Sequence, residues 1–232
     1  MGGIIIIFWE ILISIVPIVG LIIWFKYKKY PFSLLAICAS FFTGLVTVFV
    51  AFLFHNNFEY LGHFIPADSR WVNFYKNFIQ FSFSEEISRF ILLLIFYLIY
   101  SRIRRNENSM QNEGWFCAVG IIAGFGFAVL ESTVIDISYA NFTWMRIFTA
   151  APLHAACGCR VAFSVANLKK YPAQSIFRFF SAVAIHGLYN ILIIRNHLPS
   201  QIAAILIALF SFASSMLLIN RRMGELEEGA SG

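Results

Sequence analysis

The sequence predicts an all-α protein, a polytopic membrane helix bundle of about seven transmembrane helices of roughly 20 residues each. Three observations predict it. Hydrophobic residues make up 59% of the chain and charged residues only 12%, the balance of a protein whose surroundings are largely lipid. Apolar runs at residues 4–25, 32–54, 79–100, 115–137, 144–166, 176–194 and 201–219 nearly fill the 232 positions. Basic residues gather in alternate connections between those runs, as the positive-inside rule requires. No separate soluble domain fits, so residues 1–232 read as one integral membrane domain, with a core at about residues 79–194.

The first run reads as a retained helix rather than a cleavable signal. No Lys or Arg precedes it, it exceeds the usual apolar core length, and no small-residue cleavage site follows. Glu10 has no second polar residue beside it and reads as structural. Lys26, Lys28 and Lys29 follow this run. After the second run, the connection at 55–78 carries His55, His63, Pro66, Asp68, Trp71 and Tyr75. Its aromatic spacing suggests an interfacial anchor, with substrate contact as the alternative.

The third run contains Glu85, Glu86 and Arg89, and the polar, basic segment from Arg102 to Gly114 follows it as a solvated loop. The fourth run carries the small-residue stretch from Gly124 to Ala128 ahead of Glu131. The fifth holds His154, Cys157 and Cys159, and Lys169 and Lys170 follow. The sixth, after Arg178, holds His186, Gly187 and Asn190; the seventh ends before Arg221 and Arg222 and an acidic tail, Gly224 to Gly232, expected to fray. The opposite connections hold only scattered Arg70, Lys76, Arg146 and Arg195. This asymmetry places the N-terminus outside and the C-terminus in the cytoplasm.

Several classes of function lack support. The positive balance does not gather on a soluble face, so nucleic acid is not an expected partner, and no electron-transfer cofactor motif is present. Cys38, Cys117, Cys157 and Cys159 all lie in apolar runs and form neither a disulfide framework nor a paired zinc pattern. They read as packing residues, with Cys157 and Cys159 near enough to His154 to leave a metal ligand open. No sequence repeat marks a duplicated transporter.

Ionisable groups are costly near the bilayer centre and tend to face the bundle interior and carry function. Glu85 and Arg89 share a helix face and could simply form an ion pair, but that leaves Glu86 and two histidines unexplained. Depth offers a separate test. Counting inward from the outer helix ends puts Glu85 and Glu131 at about 9 Å, His186 at about 12 Å and His154 at about 15 Å. Asn190 lies roughly one turn further out than His186 on the same face. Four helices therefore place polar groups in the outer half. A carboxylate can take a proton from water, while imidazole and carboxamide can donate to an oxyanion on a peptide carbonyl. Adjacent helical residues point about 100° apart, so Glu85 and Glu86 are expected to play different roles. Gly187, between His186 and Asn190, leaves room for another helix or a substrate backbone. Glu131 is open between interhelical hydrogen bonding and direct catalysis.

These residues resemble the PrsW-like branch of the glutamic intramembrane proteases, related to the Ras-converting CAAX endopeptidases and the bacteriocin-processing membrane proteins. Glu85, Glu86 and Arg89 match the first motif, Glu-Glu-x-x-Lys/Arg, and Gly124 to Ser132 around Glu131 resembles the second. His154-Ala155 after Pro152-Leu153 resembles the third, and His186-Gly187-Leu188-Tyr189-Asn190 the fourth. The resemblance covers spans three to six, which it implies form a four-helix catalytic core. It departs at Glu131-Ser132, where the second motif commonly reads Glu-Asn.

The resemblance implies an intramembrane endopeptidase of a bacterial cell membrane acting on membrane-anchored protein substrates, with anti-sigma factors as precedent. Glu85 would activate water with Glu86 assisting, His154 would position or protonate, and His186 with Asn190 would form the oxyanion site. Arg89 and Glu131 would support them. No cofactor is expected on this reading. The alternatives are a zinc protease using Glu85 or Glu86 with His154 and His186, although His-Glu-x-x-His is missing, and a noncatalytic scaffold like the non-proteolytic membrane subunit of gamma-secretase or a proton-coupled transporter. The substrate, the scissile bond and the oligomeric state are not encoded legibly.

Overall fold

The structure, a computed structural model, describes residues 2–28, 30, 32–66, 71–103, 113–135, 143–195 and 197–230. Side chains are described within 15–28, 30, 32–66, 71–103, 113–132, 148–195 and 197–223, so Glu10, Asp68, Arg70, Arg146 and the residues of the acidic tail lie outside them. The described residues form helices only: α1 Gly2–Tyr27, α2 Leu34–Gly62, α3 Trp71–Phe74, a π-helical segment Tyr75–Phe83, α4 Ser84–Ile103, α5 Glu113–Ile135, α6 Thr143–Asn167, α7 Pro172–Ile193 and α8 Leu198–Ala230. Every apolar run falls on a helix. Among the described residues, four helical stretches are long and apolar enough to cross a membrane: Leu34–Gly62, Glu113–Ser132, Pro172–Ile193 and Leu198–Met223. The chain is a multi-pass membrane protein. Two helices outside those four, α4 and α6, carry Glu85, Glu86, Arg89 and His154, while Glu131 and His186 lie on α5 and α7.

Local chemistry sets the helix ends. Ser33 caps α2 by accepting the Ala36 N–H at 3.2 Å. Pro172 opens α7 at a position where its missing N–H costs nothing. The connection expected at 55–78 is mostly helical instead. α2 continues through His55, Asn56, Asn57 and Glu59 to Gly62, because a helix that leaves the apolar layer keeps its backbone bonds without needing apolar side chains. Beyond the short gap, α3, the π segment and α4 run on without a break.

The centre of the bundle is α5, with α2 and α6 against it. Glycine permits the close approach. A Cβ on Gly124 would stand 2.2 Å from the His154 carbonyl oxygen, and one on Gly44 would stand 2.0 Å from that of Ala123. The small-residue stretch of α5 is thus a packing surface, which lets α6 bring His154 against it. At the opposite end, Phe25, Phe32, Trp115 and Tyr100 form a chain of ring contacts that joins α1, α4 and α5.

Candidate active site

The segment leading into α4 determines how its glutamates are presented. Ser82 Oγ donates to the Asn77 carbonyl, five residues back, at 2.6 Å, and Ser84 Oγ donates to the Gln80 carbonyl at 2.6 Å. The wider π turn holds more residues per turn than an α-helix, so it changes the phase at which the following side chains emerge; such turns recur at functional sites. Glu85 and Glu86 come immediately after it, in the first turn of α4.

The two adjacent carboxylates have different surroundings. Glu86 is fully buried; its Oε2 accepts from Arg89 Nη1 on the same helix, and its Oε1 lies 2.9 Å from His186 Nδ1 on α7. A carboxylate held by a guanidinium acts as an acceptor, so His186 Nδ1 is the donor in that contact. Its other ring nitrogen, Nε2, faces Glu85 Oε2 at 3.6 Å. Glu85 keeps 9% of its surface exposed, and its Oε2 has no hydrogen-bond partner among the described residues. Glu86 therefore holds other groups in place, while Glu85 has an oxygen to spare.

Arg89 extends the network to α6. Its Nη2 lies 3.4 Å from His154 Nδ1, and its guanidinium sits 4.8 Å from the centre of the Phe127 ring. A guanidinium only donates, so Nδ1 of His154 is the acceptor and Nε2 bears the proton that meets Glu131 Oε2 at 2.6 Å. The His154 and His186 rings meet edge to face with their centres 5.0 Å apart. Six of the seven residues singled out from sequence, Glu85, Glu86, Arg89, Glu131, His154 and His186, thus form one buried cluster contributed by four helices. The seventh, Asn190, is half-buried one turn beyond His186 and donates from Nδ2 to Ser82 Oγ at 3.4 Å, on the segment that leads into Glu85. Gly187 takes the edge of the Phe78 ring; a Cβ there would lie 2.5 Å from it.

Sequence reasoning missed Phe127, Ser82 and Gln80, and placed His55 in an interfacial connection. Phe127 lies one turn before Glu131 on the same face of α5 and touches both Arg89 and His154. Ser82 connects Asn190 to the π segment. His55 and Gln80 approach to 3.2 Å and line a cavity of about 270 Å³ with Glu59, His63 and Lys76. The helical spacing signalled Phe127, but nothing local signalled the π turn.

Among the described residues, two groups place one ligand atom per residue within 4.8 Å of each other: Glu85 with His154 and His186, and Glu86 with Cys157 and His186. The second is committed elsewhere, since Glu86 is held by Arg89 and Cys157 Sγ lies 3.7 Å from the Ala182 carbonyl. The first offers two imidazoles and one carboxylate, a donor set that zinc takes in catalytic sites, and includes the unpartnered Glu85 oxygen. In donor type and burial these residues fit such an ion, with His154 having to release Glu131 or Arg89 to offer it a ring nitrogen.

Comparison with known proteins gives one match. A family model described as PrsW family intramembrane metalloprotease matches residues 31–216. Neither a curated protein nor a solved structure matches the chain.

Proposed function

We propose a mechanism on one premise: the chain belongs to the PrsW family of intramembrane metalloproteases, whose model spans residues 31–216 and every residue of the cluster. It is a protease of the membrane, and membership in a protease family favours hydrolysis over the scaffold and transport alternatives. We read α1, α2 and α4 to α8 as seven spans, with the cluster in the outer half of the bilayer and the C-terminus in the cytoplasm. The substrate is a membrane-anchored protein, and the family resemblance offers a single-pass anti-sigma factor as precedent.

Glu85 is the general base. It removes a proton from water as the water oxygen attacks the scissile carbonyl carbon, and delivers that proton to the leaving amine nitrogen. Glu86 is a positioning residue: bonded to both Arg89 and His186, it fixes the imidazole that faces Glu85. Glu131 does the same for His154. The Asn190 amide has two N–H groups; one points to Ser82, and the second stabilises the oxyanion together with Nε2–H of His186 when that ring carries both protons. The polar cavity beside Gln80 begins about 7.5 Å before Glu85 along the helix and supports water access from that side.

The observation that carries this reading is the difference between the two carboxylates: the buried Glu86 bonds twice, whereas Glu85 has an unpartnered oxygen 3.6 Å from His186. The family description and the donor set support a second form of it, in which Glu85, His154 and His186 would hold zinc. When bound, the ion would polarise the scissile carbonyl and make water more acidic. The full-length protein in proteoliposomes with a single-pass substrate separates the forms. Both require Glu85→Gln and His186→Ala to lose turnover, and undiminished turnover in either variant overturns the assignment. Stoichiometric zinc with loss of activity to a chelator selects the metal form; full activity in zinc-free protein selects the glutamic one.

A further inference from the structure

Away from the glutamates, α6, α7 and α8 border a cavity of about 270 Å³ into which Arg160, Arg178 and Arg221 contribute. Arg160 lies roughly 9 Å along α6 from His154, well inside an apolar run where a cation is costly unless something compensates it. Its guanidinium is held by neutral acceptors. Nη1 donates to the Ala156 carbonyl at 3.0 Å and to Ser215 Oγ at 3.1 Å, and Nη2 donates to Ser214 Oγ at 3.0 Å. The Arg178 guanidinium lies over the Phe163 ring at 5.2 Å. These contacts fix the direction of both groups without neutralising either. Among the described residues, no carboxylate lines the cavity. The nearby acid Glu113 is engaged by Arg222 at 3.4 Å.

The apolar part of the wall indicates the occupant. Leu217 lines the cavity and is 70% exposed, and Phe210 and Leu206, two and three turns earlier on the same face of α8, are exposed as well. An anion-binding recess thus opens onto an apolar stripe along a membrane helix. We propose that it is a site for an anionic phospholipid, with the headgroup phosphate between Arg160 and Arg178 and an acyl chain along Leu217, Phe210 and Leu206. Basic pockets between transmembrane helices bind lipid headgroups by this chemistry, and guanidinium matches phosphate with paired N–H donors. A soluble phosphate would use the arginines but gain nothing from the apolar stripe.

The test is native mass spectrometry of the full-length protein titrated with phosphatidylglycerol and with phosphatidylcholine of the same chains. The expected result is at least tenfold tighter binding of phosphatidylglycerol, falling to within threefold of phosphatidylcholine in Arg178→Gln/Arg221→Gln and recovering in Arg178→Lys/Arg221→Lys. Arg178→Gln alone, at a half-buried position, should cost at least threefold and serves if the double variant aggregates. Equal binding of the two lipids, or a preference unchanged in a folded glutamine variant, overturns the proposal. So does sodium phosphate that stabilises the protein at millimolar concentration while phosphatidylglycerol shows no advantage, because that assigns the cavity to a soluble anion.

Discussion

The two ends of the bundle treat an arginine within an apolar run in opposite ways. At the site end, Arg89 is 1% exposed and its charge is balanced by Glu86, which also holds His186. Toward the other end, Arg160 is half-buried and rests on hydroxyls and carbonyls. The first arrangement is self-contained, so the local charge is settled within the protein and the histidines are fixed with it. The second holds a cation in place without neutralising it, which suits the binding of something that arrives from outside. The same residue type thus serves rigidity in one place and recognition in the other.

Breaking the self-contained end should have the larger effect on stability. Glu86→Gln leaves Arg89 as an unbalanced buried charge and is expected to cost about 3–5 kcal/mol in thermal or denaturant unfolding, with activity lost as well. Glu86→Leu combined with Arg89→Met should recover most of that stability but no turnover, since an apolar pair of similar volume replaces a buried ion pair at little cost. Should the double variant be no more stable than Glu86→Gln, the pair would not be the source of the loss. Asn190→Ala is next. An oxyanion donor is worth about 10²-fold in kcat, whereas loss of the long contact to Ser82 alone should leave turnover within tenfold.

Smaller effects test the packing that joins the two ends. Gly124→Ala places a methyl group against the His154 backbone and should cost about 1–3 kcal/mol and reduce turnover by displacing His154. Gly20→Ala in α1, where a Cβ meets nothing within 4 Å, should be neutral or slightly stabilising. Smallest of the losses should be Arg160→Gln, at about 1–2 kcal/mol, because its partners are neutral and each can turn to another acceptor or donor. A loss as large as that of Glu86→Gln would erase the contrast between the ends.

Much of the site was legible because charge in an apolar run is costly enough to stand out. Glu85, Glu86, Glu131, His154 and His186 are visible in that way, and the count of residues from each helix end put Glu85, Glu131, His186 and His154 at about 9–15 Å. Different roles for Glu85 and Glu86 were expected from their separation of about 100° on the helix; the bonds of Glu86 to both Arg89 and His186 were not visible. That pairing depends on the phase at which α4 leaves the π segment, and the segment Tyr75–Phe83 straddles the expected boundary between the 55–78 connection and the 79–100 run, so no change in composition marks it as one wide-turned helix. The extension of α2 to Gly62 was hidden for a related reason: apolar composition reports where lipid ends, and the helix continues past that point. Arg160 carries the same signal as Arg89 but has no opposite charge one turn away on its own helix to mark it. Its partners Ser214 and Ser215 lie more than fifty positions ahead, and only the packing of α6 on α8 brings them together.

The central claim is that adjacent glutamates do different work, Glu85 on water and Glu86 on the groups around it. Turnover and unfolding midpoint of Glu85→Gln and Glu86→Gln, measured side by side in the full-length protein, test it most directly. The account predicts that Glu85→Gln unfolds close to wild type and loses about 10²–10⁴-fold in turnover, while Glu86→Gln unfolds markedly earlier. Wild-type turnover in Glu85→Gln, or equal stability losses in the two variants, would contradict it.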